Sequence, residues 1–348
     1  MKAALLTGLR QIGVFDTPAP DLARDDDVLL RMERVGVCGS DVHYFAHGRI
    51  GRQIVSFPYC IGHEGSASVV RVGHAVTRVK AGDRVAIEPA RSCGACDQCQ
   101  AGRPHTCRRL LFLGTPGQGP GCLSEFIVMP QECCFPVAPA TDADRAALIE
   151  PLSIALYAVR LPGLPLAGKR CAILGCGPIG LSVLLALQAH GSDDVAMTDI
   201  RDYRLAVARQ AGAGWTARAD AGDPAAALEE RDPLGMDIVW ECCGQQAALD
   251  QAVLMLKPGG TLVVVGIPEE ERVSLPLDEM RRREIRLLNV RRQNGCVQDA
   301  LDLIEQRGVN PDFLITHRFP LDQVQTAFET AHAYADGIVK AMIVFPAD

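Results

Sequence analysis

From Cys171 to Ser192 the chain carries no charged residue and is mostly apolar, long enough to cross a bilayer. The run opens, however, on Gly175-Cys176-Gly177-Pro178-Ile179-Gly180, which divides it into a short buried strand (Cys171 to Leu174), a turn and a helix (Pro178 to His190). No aromatic or basic anchors flank it, so a membrane span is disfavoured. Glycine makes up 33 of 348 residues, and an isolated Gly-x-Gly-x-x-Gly would mean little. Between a strand and a helix it means more. Gly175 can make the tight turn, Gly177 can admit a pyrophosphate to the backbone, and Gly180 can let helix and strand approach. The helix N-terminus then offers unpaired N–H groups and the positive end of a dipole to the phosphates.

The pattern after the motif repeats this alternation. Val195 to Thr198 reads as a strand and Tyr203 to Ala211 as a helix. Met236 to Trp240 and Thr261 to Val265 read as further strands, the second announced by the turn Lys257-Pro258-Gly259-Gly260. Strands separated by helices imply an α/β unit with a doubly wound parallel sheet. Asp199 lies nineteen positions after Gly180 at a strand end, where an acid accepts from adenosine ribose hydroxyls. That favours NAD over NADP, because a carboxylate repels a 2′-phosphate. As alternatives, Asp199 is a turn aspartate, or Arg201 or Arg204 beside it receives that phosphate.

Before residue 150 the character differs: turn residues separate short strand-like runs at Val28 to Val35, Ala67 to Val72 and Arg84 to Ile87, an irregular β-rich unit. Helical patterns at Val297 to Gln306 and Leu321 to Ala335, then a strand at Lys340 to Phe345, suggest that the chain returns to that first unit. The α/β unit is then an insertion, with expected domains 1–152 completed by 292–348, and 153–291. A length of 348 residues suits two such domains. With 35 basic against 42 acidic residues, a net charge of -7 and no run of like charges, a nucleic-acid or anionic-membrane partner is disfavoured.

Fourteen cysteines raise the question of whether they staple, ligate or pack. The apolar stretch after Met1 and Lys2 is broken at Arg10, too short for a signal-peptide core, so a reducing cytoplasm is expected. Cys93, Cys96, Cys99 and Cys107 form C-x2-C-x2-C-x7-C, and four thiolates so spaced can close a tetrahedron around a structural zinc. A thioredoxin-like redox pair would need a different context. Cys38, His63, Glu64 and Glu150 are scattered, and each alone has a plain explanation as a buried thiol, a loop histidine or a helix-start acid. Nor is His63-Glu64 the H-E-x-x-H protease motif, since residue 67 is alanine.

Taken together, these stretches resemble the medium-chain, zinc-dependent alcohol dehydrogenases, and within them the sorbitol and xylitol (polyol) dehydrogenases. The likeness spans nearly the whole chain. It is carried by Gly39-Ser40-Asp41-Val42-His43-Tyr44, Gly48-Arg49-Ile50-Gly51, Gly62-His63-Glu64-Gly65, Ile87-Glu88-Pro89, Ala147-Leu148-Ile149-Glu150-Pro151-Leu152-Ser153 and Thr316-His317-Arg318-Phe319-Pro320-Leu321. The resemblance implies a GroES-like β domain, built from both chain ends and holding the metals, with an inserted Rossmann domain that binds NAD. It makes Cys38, His63 and Glu64 the catalytic zinc ligands, with Glu150 either ligating directly or holding the water bound there. Zinc would act as a Lewis acid, stabilising the alkoxide that passes hydride to nicotinamide C4. Ser40 and His43 match positions that relay the proton outward. Pro178, Ile179, Arg204, Val265 and Val290 fall with the glycines and Asp199 among the cofactor-binding positions.

For the substrate, Tyr44, Phe112 and Thr115 match positions lining the polyol pocket, and Arg292 matches an arginine that binds a substrate hydroxyl. Two departures fall on the pocket: Gln293 stands where polyol dehydrogenases commonly have an aromatic, and the loop from Pro116 to Gly121 is one residue longer than in the animal enzymes. Arginines 281, 282, 283, 286, 291 and 292 form a solvated or subunit-contact stretch, or else Arg291 and Arg292 together receive an anionic substrate. The expected activity is NAD-dependent oxidation of a sugar alcohol to a ketose. Alternatives on the same scaffold are threonine, cyclitol, polyol-phosphate or sugar-acid dehydrogenases; from another class comes a catalytically silent binding or structural relative. The resemblance also implies a homodimer or homotetramer.

Overall fold

Four consecutive apolar residues, Cys171–Leu174, form a strand buried on both faces, and this strand organises the second half of the chain. Val195–Asp199 pairs with it on one side and Met236–Glu241 on the other, both parallel. Trp215–Arg218 extends the sheet beyond the first neighbour, and Leu256–Val264 then Arg286–Asn289 extend it beyond the second. Numbered along the chain, the six strands lie in the order 3-2-1-4-5-6. The winding reverses beside Cys171–Leu174, and a crevice opens at the carboxyl ends of the strands there.

The computed structural model describes residues 1–268 and 270–346. It divides into two units, Met1–Glu150 with Val297–Asp348, and Pro151–Cys296. Arg292 and Gln293, counted with the terminal domain from the sequence, fall in the second unit. The Gln293 side chain accepts from the backbone N–H of Cys296 at 2.7 Å, folding this stretch onto itself. No helix among the described residues is long and apolar enough to cross a membrane. The uncharged run that imitated a span is the strand Cys171–Leu174 and the helix Pro178–Ala189.

In the first unit, the strand Asp27–Gly36 is the hub of a seven-stranded sheet. It pairs antiparallel with Glu64–Val72, with Phe126–Pro130 and with the last strand, Lys340–Val344. The two ends of the chain therefore complete one sheet and share one core, in which Leu30, Met32, Val35 and Phe45 pack with Phe328 and Ile343. Gly36 sits opposite Glu64 on one side and Met342 on the other.

Some boundaries differ from expectation. The strand expected at Thr261 to Val265 runs from Leu256 to Val264. Its ladder pairs Met236 with Leu256 and resumes at Ile238 with Thr261, so the Lys257–Gly260 turn is bulged out of an otherwise continuous pairing. The helix expected from Leu321 is a 3-10 turn at Leu321–Gln323 followed by an α-helix at Val324–Ala333, stopped by Tyr334 in the left-handed region.

In the crevice turn, Gly175 adopts φ 101°, and Gly177 caps the helix whose first residue is Pro178. A Cβ placed on Gly180 would overlap the Gly175 carbonyl oxygen. Gly180→Ala is therefore expected to lower stability by ~1–3 kcal/mol and to weaken dinucleotide binding, because turn and helix must separate. An unchanged unfolding midpoint with unchanged binding would contradict this packing.

Candidate active site

The sulfurs of Cys93, Cys96, Cys99 and Cys107 converge on one point, with Cys96–Cys99 at 3.6 Å, Cys96–Cys107 at 3.8 Å and Cys93–Cys99 at 4.0 Å. Four sulfurs held about 2.3 Å from one zinc would lie about 3.8 Å apart along each tetrahedral edge. The spacing fits that ion and leaves no open position. Backbone donors prepare the site: the Ala95 N–H, followed by the contacts to Cys107 and Arg109, pulls the Cys93 thiol down to about 5. Burial instead pushes Cys107 up to about 11. One ligand is thus ready as a thiolate, and another must release its proton to solvent as the metal binds.

A second cluster forms where the Asp27–Gly36 strand hands over to the helix Gly39–His47. Cys38 is the N-cap of that helix, and His63 and Glu64 lead into the facing strand. One ligand atom each from Cys38, His63 and Glu64 lies within 4.8 Å of the others. A thiolate, an imidazole and a carboxylate make a three-ligand set with an open fourth position, the donor count of catalytic zinc sites. Glu150, whose role the sequence leaves open, is not part of this close group among the described residues. It is buried beside it, where desolvation pushes it up to about 8, His63 opposing and Glu64 and Glu88 adding.

Three residues that sequence reasoning missed hold this cluster. Asp41, 1 % exposed, places Oδ1 3.4 Å from His63 Nδ1 while accepting from the Gly62 N–H at 3.1 Å. Its other oxygen accepts from the Cys38 N–H at 3.3 Å. A carboxylate on one ring nitrogen fixes the imidazole and aims the other nitrogen at the metal position. Burial alone would lower the His63 pKa, but Asp41 and Cys38 outweigh it and hold the ring well above its ordinary value.

Lys340 is the second missed residue. It forms an ion pair with Glu64, both side chains 1 % exposed. Burial works against the ammonium, yet Glu64, with Cys38 and Glu150 beyond it, keeps its pKa raised. Gly36 is the third: a Cβ there would land on Glu64 Oε2 and stand 2.9 Å from Lys340 Cε. The absent side chain is the gap through which lysine reaches acid. Asp41 had a usable signal, an acid three residues after an N-cap; a lysine on a C-terminal strand reads from sequence as a surface residue.

Around the cluster, the Phe112 ring lies 5.2 Å from the His63 ring, and Thr115 is buried nearby in sequence at the 112–119 turn. Tyr44, also buried, donates its hydroxyl to Gln53 Oε1 at 3.1 Å. Ser40 and His43 lie on the first turns of the helix capped by Cys38, and the His43 ring is 5.9 Å from that of His47.

In the second unit, Asp199 joins the fingerprint turn to its own strand: Oδ2 accepts from Cys176 N–H at 2.8 Å and Oδ1 from Arg201 N–H at 2.9 Å. The Arg204 guanidinium reaches over Gly177, 3.5 Å from where a Cβ would be. Gly175, Gly177, Asp199 and Arg204 therefore meet in one crevice, with Pro178 and Ile179 partly exposed on the first helical turn. Such a cradle of small residues, a helix N-terminus, an acid and a guanidinium fits a dinucleotide. Val265 and Val290 follow neighbouring strand ends, donating to the Glu241 and Val264 carbonyls at 2.8 and 2.9 Å. Arg281 and Arg282 are paired with Asp278, and Arg283 with Glu279, so that part of the arginine run is tied locally.

Comparison with known proteins agrees with this fold. The alcohol dehydrogenase GroES-like domain matches residues 24–139, and the zinc-binding dehydrogenase family matches residues 178–306. Sorbitol dehydrogenase of Bacillus subtilis is 34% identical over 99% of this chain and 97% of its own. Sorbitol dehydrogenase of Mus musculus is 36% identical over 93% and 90%. A zinc-binding dehydrogenase structure from Sinorhizobium meliloti, bound to NADP, superposes with a TM-score of 0.89 at 30% identity, covering 99% of this chain and 98% of that one. The chain belongs to the zinc-dependent medium-chain polyol dehydrogenase family.

Lys340→Met is expected to weaken zinc at the Cys38–His63–Glu64 cluster about 10- to 100-fold in competition with a chelator, leaving the four-sulfur site loaded. Equal retention by variant and parent would show that the lysine does not support the carboxylate. Because metal must displace the His63 proton, retention at this cluster is also expected to fall as pH falls, and a rise on acidification would contradict the assignment.

Proposed function

We propose that the chain is a zinc- and NAD-dependent polyol dehydrogenase, oxidising a secondary hydroxyl of a sugar alcohol of the sorbitol or xylitol kind to the ketose. The observation that carries this is the convergence of Cys38, His63 and Glu64 with a place left open, beside a buried Glu150. Zinc held there would supply Lewis acidity to the carbinol oxygen. Gly175, Gly177, Gly180, Asp199 and Arg204 would hold NAD, which would supply the hydride acceptor, so that each turnover would convert one CH–OH and NAD+ into one C=O, NADH and a proton. Retention of the three ligand residues speaks against a catalytically silent relative.

Within this reading the protein groups divide the work. Asp41 orients His63, and Lys340 holds Glu64 in place across Gly36. Glu150 is an outer carboxylate of the site, with Glu64 as third ligand. Ser40 and His43 carry the hydroxyl proton outward. Phe112, against His63, shields the site from water, and Tyr44 and Thr115 line the polyol pocket. Arg292 and Gln293 serve as hydroxyl-binding groups. The nucleotide is NAD, since Asp199 fixes the ribose end by its carboxylate; the NADP of the Sinorhizobium meliloti relative makes this a point to test. We place the chain in a reducing cytoplasm as a homodimer or homotetramer, supported by the grouping of five cysteines as metal ligands and by the half-exposed edge strand Arg286–Asn289. A monomer by light scattering, or an exported protein on fractionation, would remove that placement.

A panel of sorbitol, xylitol, threonine, a cyclitol and a phosphorylated polyol, read by NADH absorbance, is expected to show turnover of the sugar alcohols above the rest. No sugar-alcohol turnover beside clear turnover of another class would overturn the substrate assignment. Asp199→Ala is expected to reduce the NAD over NADP preference by roughly tenfold, about 1.4 kcal/mol. Equal use of both by the unmutated enzyme would show that Arg201 or Arg204 outweighs the acid.

A further inference from the structure

Glu241 ends the strand Met236–Glu241 at the carboxyl edge of the parallel sheet and is fully buried. Its neighbours in the strand, Ile238, Val239 and Trp240, are the apolar residues such a place normally selects. The acid instead makes four backbone contacts. Its Oε1 accepts from the N–H of Cys243 at 2.6 Å and of Gly244 at 2.7 Å. Its main-chain carbonyl accepts from Val265 at 2.8 Å and Gly266 at 3.0 Å. The side chain thus ties down the turn after its own strand, while the carbonyl, which any residue would supply, pairs with the turn after the next.

Those turns pack backbone on backbone. A Cβ on Gly244 would overlap the Ile267 carbonyl, and one on Gly266 would overlap the Gly244 nitrogen and stand 2.8 Å from Glu241 Oε2. On its other side the first turn abuts the glycine fingerprint. A Cβ on Gly175 would lie 2.8 Å from Cys243 Sγ and 3.3 Å from the Cys242 carbonyl carbon. Glu241 Oε2 has no hydrogen-bond partner among the described residues. Burial pushes this carboxyl above its ordinary range, against the opposing pull of the Cys243 and Gly244 N–H groups. Burying an acid this way costs stability, so a role confined to packing would be better served by an apolar side chain.

We propose that Glu241 is a positioning residue for the dinucleotide: it fixes the Cys242–Gly244 and Val265–Ile267 turns against Gly175, setting the width of the crevice that receives the cofactor. This rests on the reading of the second unit as the NAD site. The side chain acts as an acceptor and a spacer, so an amide of the same shape replaces it, whereas an apolar or shorter residue does not.

The test uses the zinc-loaded enzyme and its Glu241→Gln, Glu241→Leu and Glu241→Asp variants, with NADH affinity by calorimetry beside KM for NAD, kcat and zinc content. Glu241→Gln is expected to bind NADH within about threefold of the parent, and Glu241→Leu at least about tenfold more weakly. KM for NAD should rise in step while kcat at saturating NAD stays within about threefold and zinc content is unchanged, a split that general loosening would not produce. If Glu241→Leu does not fold, Glu241→Asp decides, since one methylene less breaks both N–H contacts, with a weakening of about fivefold or more expected. Unchanged affinity in the folded Leu or Asp variant, or a loss in Glu241→Gln equal to theirs, overturns the proposal. A parent enzyme that binds no dinucleotide overturns the NAD reading itself and this inference with it.

Discussion

A buried carboxylate and a buried ammonium, Glu64 and Lys340, face each other with 1 % of either side chain exposed, a contact that the strand register of the first unit makes possible. Taking each ion out of water costs several kcal/mol, and only close pairing with further polar neighbours repays it. The pairing requires three strands in register. Glu64 begins one, Gly36 ends the next and leaves the gap, and Lys340 begins the third, which comes from the far end of the chain. The C-terminal segment is therefore part of the metal site as well as of the sheet.

The same corner gathers Cys38, His63, Asp41 and Glu150 beside Glu64, sulfur, nitrogen and oxygen donors together. A divalent cation held by Cys38, His63 and Glu64 fits that donor set: a thiolate, an imidazole and a carboxylate suit zinc and leave a place for a hydroxyl oxygen. The second unit works by other means. Its crevice is shaped by close approach of backbones at Gly175, Gly180, Gly244 and Gly266, with both Asp199 oxygens and Glu241 Oε1 accepting from N–H groups of the turns.

Legibility in the sequence follows the range of the interactions. The four-sulfur site is readable because its ligands fall within one short segment at tetrahedral spacing. The central strands are readable as uninterrupted apolar runs, and Arg84–Ile87 and Cys171–Leu174 appear where expected. The edge strands Trp215–Arg218 and Arg286–Asn289 escaped notice because half-exposed positions carry arginine, threonine and asparagine. Cys38, His63 and Glu64 could be joined only through family resemblance, since no spacing rule links residues on separate elements. Lys340 and Gly36 were beyond reach altogether: their meaning exists only in the register of three strands distant in the chain.

The central claim is a catalytic metal on Cys38, His63 and Glu64, separate from the four-sulfur site. Zinc analysis of the purified chain and of Cys38→Ala tests it most directly. The account predicts about two zinc per chain in the parent, and about one in the variant, which should fold normally and form no NADH from any polyol. Equal zinc in both, with polyol oxidation surviving the substitution, would contradict it.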